Sequence, residues 1–262
     1  IMTKMSYKIL NVELLIIAIL NFLCMSSFAA QIDEENLSAA KTIPIKDFEL
    51  NYIADFNGLE IKGVHKLTEV DKGQYKELFE ARGVLGKVTE VELFDINSNQ
   101  QIIPRENTYR RSLIGTKRTE KQQYDWSTNE ATYKKGNKVI KIALQPGYLD
   151  SMSHKQQLRR DIAAGEDYLT YAVISRGKLK QYTYKVIATE ILKTPIGPLN
   201  TTVVQRFSDD KTKTTKVWLA TDWDYIMVRL ERSDKGDTQE MQFTGGQSNK
   251  QMVKPLEIGV EK

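Results

Sequence analysis

Residues 48–83 read FELNYIADFNGLEIKGVHKLTEVDKGQYKELFEARG. Apolar and polar side chains alternate along three runs, which are separated by Asn57-Gly58 and by Asp71-Lys72-Gly73. A period of two is typical of a strand with one buried face, and Asn-Gly or a short Gly-containing segment between such runs indicates a hairpin turn. The stretch therefore predicts three antiparallel strands joined by tight turns.

The same pattern continues through the rest of the chain, with turn segments at 97–100, 136–137, 176–178, 194–198 and 233–237. Residues 150–165 are the exception, because helix formers there lead to Gly165, which suits the position after a last helical turn. We expect one short helix that covers an edge or an end of the sheet. The predicted fold is mainly β, with antiparallel meanders forming a curled sheet, a sandwich or a barrel-like domain.

The first residues resemble a secretory signal peptide. Lys4 and Lys8 precede the apolar run 14–23, and Ser27 and Ala29 supply small residues for a cleavage site. The apolar run is shorter than the roughly 20 residues that span a membrane comfortably, although a retained anchor is the competing interpretation. We expect export to the periplasm of a Gram-negative cell and no transmembrane span after cleavage.

The remaining chain shows no change of composition that would mark a second domain. We assign residues 1–29 to the signal peptide and 30–45 to a flexible linker. Residues 46–246 are expected to form a single β domain, and 247–262 a polar C-terminal tail that frays.

Composition disfavours several kinds of chemistry. The single cysteine, Cys24, lies in the leader, so the exported chain is expected to have neither a disulfide nor a thiolate nucleophile. The two histidines, His65 and His154, lie in different predicted elements, and a zinc site needs three or four ligands. We expect no metal and no cofactor. A net charge of +4 also lacks the strong basic excess of a nucleic-acid binder.

Paired carboxylates are the chemistry that the sequence leaves open. Asp222 with Asp224, and Asp209 with Asp210, have the residue types that glycosidases use. Both pairs lie in predicted turns, where aspartate more often binds backbone amides. We therefore expect no catalytic residue, and the chain is more simply interpreted as a protein without enzymatic activity.

Two segments supply candidate ligand-binding residues. The stretch KVWLATDWDYIMVRL at 216–230 contains Trp218, Trp223 and Tyr225, which we interpret mainly as core, with a ligand-lining role as the alternative. The segment 105–121 is rich in Arg and Lys and includes Arg110 and Arg111, which suit anionic oxygens. It is either a solvated strand face or a patch for anions.

Dispersed short motifs resemble the exported bacterial proteins grouped as domain of unknown function 3108. The residues that carry the resemblance are Tyr52, Gly63, Gly73, Tyr75, Pro104, YLDSMS at 148–153, Gln157 to Asp161, TPIG at 194–197 and WLATD at 218–222. Met227 occupies the neighbourhood in which that family commonly has proline. The resemblance implies an envelope location and a mostly antiparallel β fold, and it brings no established activity.

Three functions remain open on the sequence. The leading hypothesis is a binding, carrier or assembly factor for an apolar or amphipathic envelope molecule, such as a lipid, or for an envelope protein. The second is an envelope hydrolase that acts on glycan or lipid through paired carboxylates. The third is a scaffold that docks a partner protein through an apolar surface patch.

Overall fold

The computed structural model describes residues 43–56, 58–207 and 212–257. The predicted signal peptide, most of the predicted linker, Cys24, and the Asp209–Asp210 pair lie outside these residues. The elements are β1 (Phe48–Phe56), β2 (Leu59–Asp71), β3 (Gln74–Gly83), β4 (Gly86–Ile96), β5 (Ile102–Leu113), β6 (Thr116–Asp125), β7 (Glu130–Lys135), β8 (Lys138–Ala143), β9 (Leu149–Asp150), α1 (Ser153–Ala163), β10 (Tyr168–Ser175), β11 (Lys178–Thr194), β12 (Gly197–Phe207), β13 (Lys213–Ala220), β14 (Ile226–Asp234), β15 (Asp237–Ser248) and β16 (Gln251–Met252).

All the described strands belong to one sheet. Its order is β8-β7-β6-β5-β4-β3-β2-β1-β15-β14-β13-β12-β11-β10-β9, with β16 attached to β15. Neighbours are antiparallel except β9 and β10, which are parallel. The predicted class, antiparallel meanders in a curled sheet with one short helix, is thus confirmed. In the described chain, β8 and β9 end the two sides without hydrogen-bonding each other, so the sheet does not close into a barrel.

The strands form where the period-two pattern predicts them. Buried and exposed residues alternate along β1 and along most of β2 and β3. The turn between β2 and β3 contains Gly73 with φ +70°, a conformation that costs glycine little because it has no Cβ. Apolar side chains therefore collect on one face, the inner face of the curve.

The two halves of the sheet approach each other through side chains. Gln122 of β6 donates from Nε2 to the carbonyl of Ile174 in β10 at 3.1 Å, and its Oε1 accepts from the amide of Gly177 at 3.3 Å. Tyr124, Ala131, Leu144 and Ile174 form a small apolar cluster at the same place. The sheet consequently wraps around an interior even though its outer strands do not pair.

The helix α1 fills that interior. Gln156 donates to Glu77 Oε1 in β3 at 2.8 Å, and His154 Nε2 lies 3.0 Å from the hydroxyl of Tyr184 in β11. The segment 150–165 was correctly predicted to form a helix, and α1 packs against the edge strand β9 and its neighbour β10 as well as reaching into the interior. Its polar residues find partners on both halves of the sheet, which places the helix between them.

The chain after Gly246 differs from the expected fraying tail. β15 continues to Ser248, and β16 pairs back onto it. Trp223 then donates from Nε1 to the carbonyl of Lys254 at 3.1 Å. Residues 247–257 are therefore attached to the domain, while 258–262 lie outside the described residues.

Candidate functional site

A cavity lies between α1 and the inner face of the sheet. Fifteen residues line it, of which eleven are apolar or aromatic. The four polar ones are His65, Lys155, Gln156 and Arg159. The space that the centres of water molecules can reach is about 50 Å³. Since one water needs about 10–15 Å³ on this measure, the cavity has room for a few waters.

The apolar wall comes from alternation on β13 and β14. Val217 and Leu219 share the inner face of β13, and Leu230 of β14 lies opposite Val217. Met227 also lines the cavity, although it is adjacent to Ile226 on the same strand. A bulge between Trp218 and Leu219 shifts the register there, so that Met227 pairs with Leu219. A bulge adds a residue to one strand and redirects the side chains beside it.

Two cationic side chains of α1 border the cavity. The Lys155 ammonium has no hydrogen bond or ion pair with another described residue. Arg159 is held in place, since its guanidinium donates to the carbonyls of Asp224 at 2.8 Å and Tyr225 at 3.1 Å. It also lies 5.0 Å from the centre of the Phe48 ring. Burial lowers the pKa of Arg159. The cavity thus combines an apolar wall with a free positive charge.

A histidine and a glutamate form the polar contact on the sheet side of the cavity. His65 Nε2 lies 2.5 Å from Glu77 Oε1, and both side chains are buried. Burial lowers the pKa of His65, and this effect outweighs the hydrogen bond to Glu77, which acts in the opposite direction. The neutral imidazole donates this hydrogen bond to the carboxylate.

Buried carboxyl groups hold the start of α1. The carboxyl of Glu92 lies close to that of Asp150, and neither residue has exposed surface. Burial raises the pKa of each, and the neighbouring Asp150 raises that of Glu92 further because two carboxylates would repel. Asp150 also accepts from the amides of Met152 at 2.7 Å and Ser153 at 2.9 Å.

A third buried acid strengthens this attachment. Glu90 accepts from Ser151 Oγ at 2.6 Å and from Asn107 Nδ2 at 2.8 Å, and burial raises its pKa. Neither Glu92 nor Asp150 lines the cavity beneath α1. Within the described ranges, no three His, Cys, Asp or Glu side chains are grouped to hold a metal ion. The arrangement positions the helix start, and Glu90, Asn107 and Ser151 also line a smaller cavity of about 20 Å³.

The predicted aromatic residues are not brought together at the cavity. Trp218 faces away from it, donates from Nε1 to Glu190 Oε1 at 2.6 Å, and carries the guanidinium of Arg229 at 4.6 Å from its ring centre. Trp223 and Tyr225 lie in the turn between β13 and β14 and pack partly buried against the core. Tyr225 reaches the site only through its carbonyl, which accepts from Arg159.

The predicted basic residues also lie elsewhere. Arg110 is exposed on β5, whereas its neighbour Arg111 is buried. Neither lines the cavity. The predicted acids of the β13–β14 turn have local partners: Asp222 accepts from Asn200 at 2.8 Å, and Asp224 pairs with Lys46 at 2.7 Å.

The cavity residues that sequence reasoning missed are polar residues of α1. Lys155, Gln156 and Arg159 gave the segment a hydrophilic pattern, which is ordinarily that of a solvent-exposed helix. One signal in the sequence could have indicated their burial. The helix lies between two long meanders, yet its apolar stripe is too narrow to hold it against a sheet by apolar contacts alone.

Comparison with known proteins identifies a family and a similar structure. A family model described as "Protein of unknown function (DUF3108)" matches residues 61–244. No curated protein matches. A crystal structure of a beta-barrel-like protein of domain of unknown function DUF1849 from Brucella abortus is similar, with a TM-score of 0.46 and 11% sequence identity over 79% of this chain and 95% of that chain. Among the described residues, no helix has the length and apolar character needed to cross a membrane.

Proposed function

This chain belongs to the DUF3108 family of proteins of unknown function, and we propose that it binds an amphipathic ligand inside its curled sheet. The observation that carries the proposal is the apolar cavity beneath α1 with the unpaired Lys155 at its border. Ligand sites are concave and mostly apolar, and a few polar groups fix the orientation of the ligand.

The size of the cavity implies that α1 moves when a ligand enters. Ligand pockets usually measure about 300–1,000 Å³, whereas the cavity under the helix has a volume of only about 50 Å³. A hydrocarbon chain therefore fits only if the helix withdraws. The same apolar wall that now contacts Leu158 would then contact the ligand.

The way in which α1 is held suits such a movement. Four of its six buried residues are polar: Ser153, His154, Gln156 and Arg160. Buried polar contacts add little net stability, because each group loses its hydration when it is buried. A helix held mainly by such contacts costs less to displace than one held by an apolar stripe.

Charge indicates the ligand class. Lys155 forms no ion pair within the described chain, although Glu90 lies near enough to interact with its charge, so a ligand with an apolar body and one anionic head suits both the wall and the ammonium. Lipids and fatty acids of a cell envelope have this chemistry. The leader-like segment 1–29 supports a periplasmic location for the binding.

Fluorescence titration with cis-parinaric acid, an anionic polyene fatty acid, tests the proposal. Lys155→Met is expected to weaken binding about tenfold, since one close ion pair is worth about 1.4 kcal/mol in a partly buried site. Lys193→Met removes an exposed lysine and serves as the matched control. A neutral polyene alcohol should bind native protein and Lys155→Met equally.

A second variant tests the location of the site. Val217→Phe fills part of the cavity and is expected to reduce binding of both probes. Its circular dichroism spectrum and thermal transition establish that the variant is folded. Unchanged affinity in folded Val217→Phe, or no measurable binding by the native protein, would rule out the interior as the ligand site.

A further inference from the structure

Four turns meet at one end of the sheet. Antiparallel neighbours reverse direction, so the turns that follow β3, β5 and β7 lie at the same end. The β10–β11 turn joins them, because Gly177 packs against the side chains of Tyr133 and Ile140 in β7 and β8. We call the four segments together the basic rim: residues 83–87, 113–118, 134–139 and 176–180.

Charge is strongly biased along the basic rim. Its segments read GVLGK, LIGTKR, KKGNKV and RGKLK, with nine Lys or Arg and no Asp or Glu. The whole chain carries a net charge of only +4, so the basic excess is concentrated here. Five lysines of the rim are exposed and form no ion pair with a described residue: Lys117, Lys134, Lys135, Lys138 and Lys178.

The charged side chains in the turns at the opposite end of the sheet are mostly acidic. Its turns at 71–73, 97–101, 125–129 and 221–225 contain four aspartates and a single lysine. These turns are therefore more acidic than the basic rim, although the β14–β15 turn at 233–237, which lies at the same end as the rim, also contains two aspartates and one lysine.

Aliphatic side chains project from the same turns as the lysines. Val84 is 77% exposed, Ile114 57%, Val139 54% and Leu179 47%. Each lies on a different turn or directly beside one. Separate projecting side chains do not form a groove that a folded partner would fill. They suit a fluid layer into which each can insert by itself.

We propose that the basic rim docks the protein onto a lipid surface that carries anionic headgroups. The lysines lie against the phosphates, and Val84, Ile114, Val139 and Leu179 insert beneath them. Apolar insertion together with basic attraction is the combination that holds peripheral proteins at membrane surfaces. The proposal does not rest on the cavity beneath α1, although a rim placed on a membrane would bring the interior close to a source of amphipathic ligand.

Vesicle co-sedimentation of the full chain tests the charge. Native protein is expected to bind vesicles of phosphatidylcholine with phosphatidylglycerol more tightly than vesicles of phosphatidylcholine alone, and to be released by salt. The triple variant Lys117→Glu, Lys135→Glu, Lys138→Glu should bind the anionic vesicles at least about tenfold more weakly, because each basic residue near such a surface contributes about 1 kcal/mol.

The matched control reverses three exposed lysines away from the rim: Lys72→Glu, Lys193→Glu and Lys254→Glu. It changes the net charge equally and should bind within about twofold of native protein if location matters more than total charge. Both variants share residues 1–42 with the native chain, so the difference between them reports the rim. Equal weakening in both variants, or no weakening in the rim variant, would overturn the proposal. A rim that recognised an acidic protein would give that second result.

Insertion is tested separately with a fluorescent reporter. Ile114→Trp places an indole on the rim, whereas Val70→Trp places one at another exposed site near the opposite end. Anionic vesicles containing brominated lipid should quench the added fluorescence of Ile114→Trp and leave that of Val70→Trp unchanged. Equal quenching, or quenching of neither, would contradict insertion at the rim.

Discussion

His65 Nε2 and Gln156 Nε2 both contact one oxygen of Glu77, at 2.5 Å and 2.8 Å. One carboxylate oxygen therefore connects β2, β3 and the helix. Burial of Glu77 is complete, so this contact is shielded from water and from competing ions. The protonation of His65 consequently affects the sheet and the position of α1 together.

His65→Gln is expected to reduce the loss of stability in acid. Burial lowers the pKa of His65 below its ordinary value of 6.5. Below about pH 6.5 the unfolded chain binds a proton that the folded chain does not, so the free energy of unfolding decreases by up to about 1.4 kcal/mol per pH unit. Glutamine cannot titrate but can still donate to Glu77. Urea unfolding at about pH 7 and about pH 5 should show a smaller decrease for the variant. Equal decreases in both proteins would contradict this role.

Glu92→Gln is expected to become relatively more stable than native protein as the pH rises. The folded chain keeps a proton on the Glu92–Asp150 pair that the unfolded chain releases above its ordinary carboxyl pKa values of 4.5 and 3.8. Native stability should therefore decrease with rising pH through this window. The side-chain amide of the glutamine variant can donate to Asp150 at every pH. At the alkaline end of the range, the variant should therefore gain about 1–3 kcal/mol of stability relative to native protein. Chemical unfolding at several pH values measures the free energy of unfolding of both proteins, and Glu166→Gln, at an exposed position, is the control. If Glu92→Gln showed the same pH profile as native protein, the buried pair would not hold an additional proton.

Trp218→Phe is expected to lower stability without affecting ligand binding. The variant loses the hydrogen bond to Glu190 and weakens the contact with Arg229, which together amount to about 1–2 kcal/mol. Trp218 does not line the cavity, so the affinity for cis-parinaric acid should stay constant. Denaturant unfolding and the fluorescence titration measure the two effects. Weaker probe binding at unchanged stability would instead support the ligand-lining interpretation of this residue.

Gly86→Ala is expected to destabilise the fold by about 3 kcal/mol or more. Gly86 has φ +140°, and an added Cβ would lie 2.1 Å from the carbonyl oxygen of Ser112. The comparison is Gly136→Ala, since Gly136 has φ +55° and open space around it. That variant should lose only about 1 kcal/mol. Thermal unfolding of both variants, followed by circular dichroism, separates the contact with β5 from the cost of backbone conformation.

Much of the fold was predictable because strand pairing follows local alternation. The first and third predicted strands coincide with β1 and β3, and their turns with the Gly-containing segments. The order of the sheet was not predictable in the same way. The pairing of β1 with β15 depends on contacts between distant parts of the chain, and alternation does not specify which strand is the neighbour.

The candidate site was harder to predict, because its residues owe their role to distant partners. Gln156 and Arg159 belong to a helix that is locally hydrophilic, and their burial depends on Glu77 and on the carbonyls of the β13–β14 turn. Trp218 was interpreted mainly as a core residue, yet composition alone could not separate a core role from a ligand-lining one. The Met227 side chain points into the cavity because of the bulge beside it, and the sequence contains no clear signature of that bulge.

The pairing of Phe48 with Ser248 has a consequence for folding during synthesis on the ribosome. One edge of β1 has no partner until β15 has been synthesised, and nearly the whole domain precedes that moment. Pairings so remote in sequence close slowly, and open strand edges attract other chains. The nascent chain should accordingly need a chaperone, or a translocation machinery that keeps it extended, until its last long strand is made.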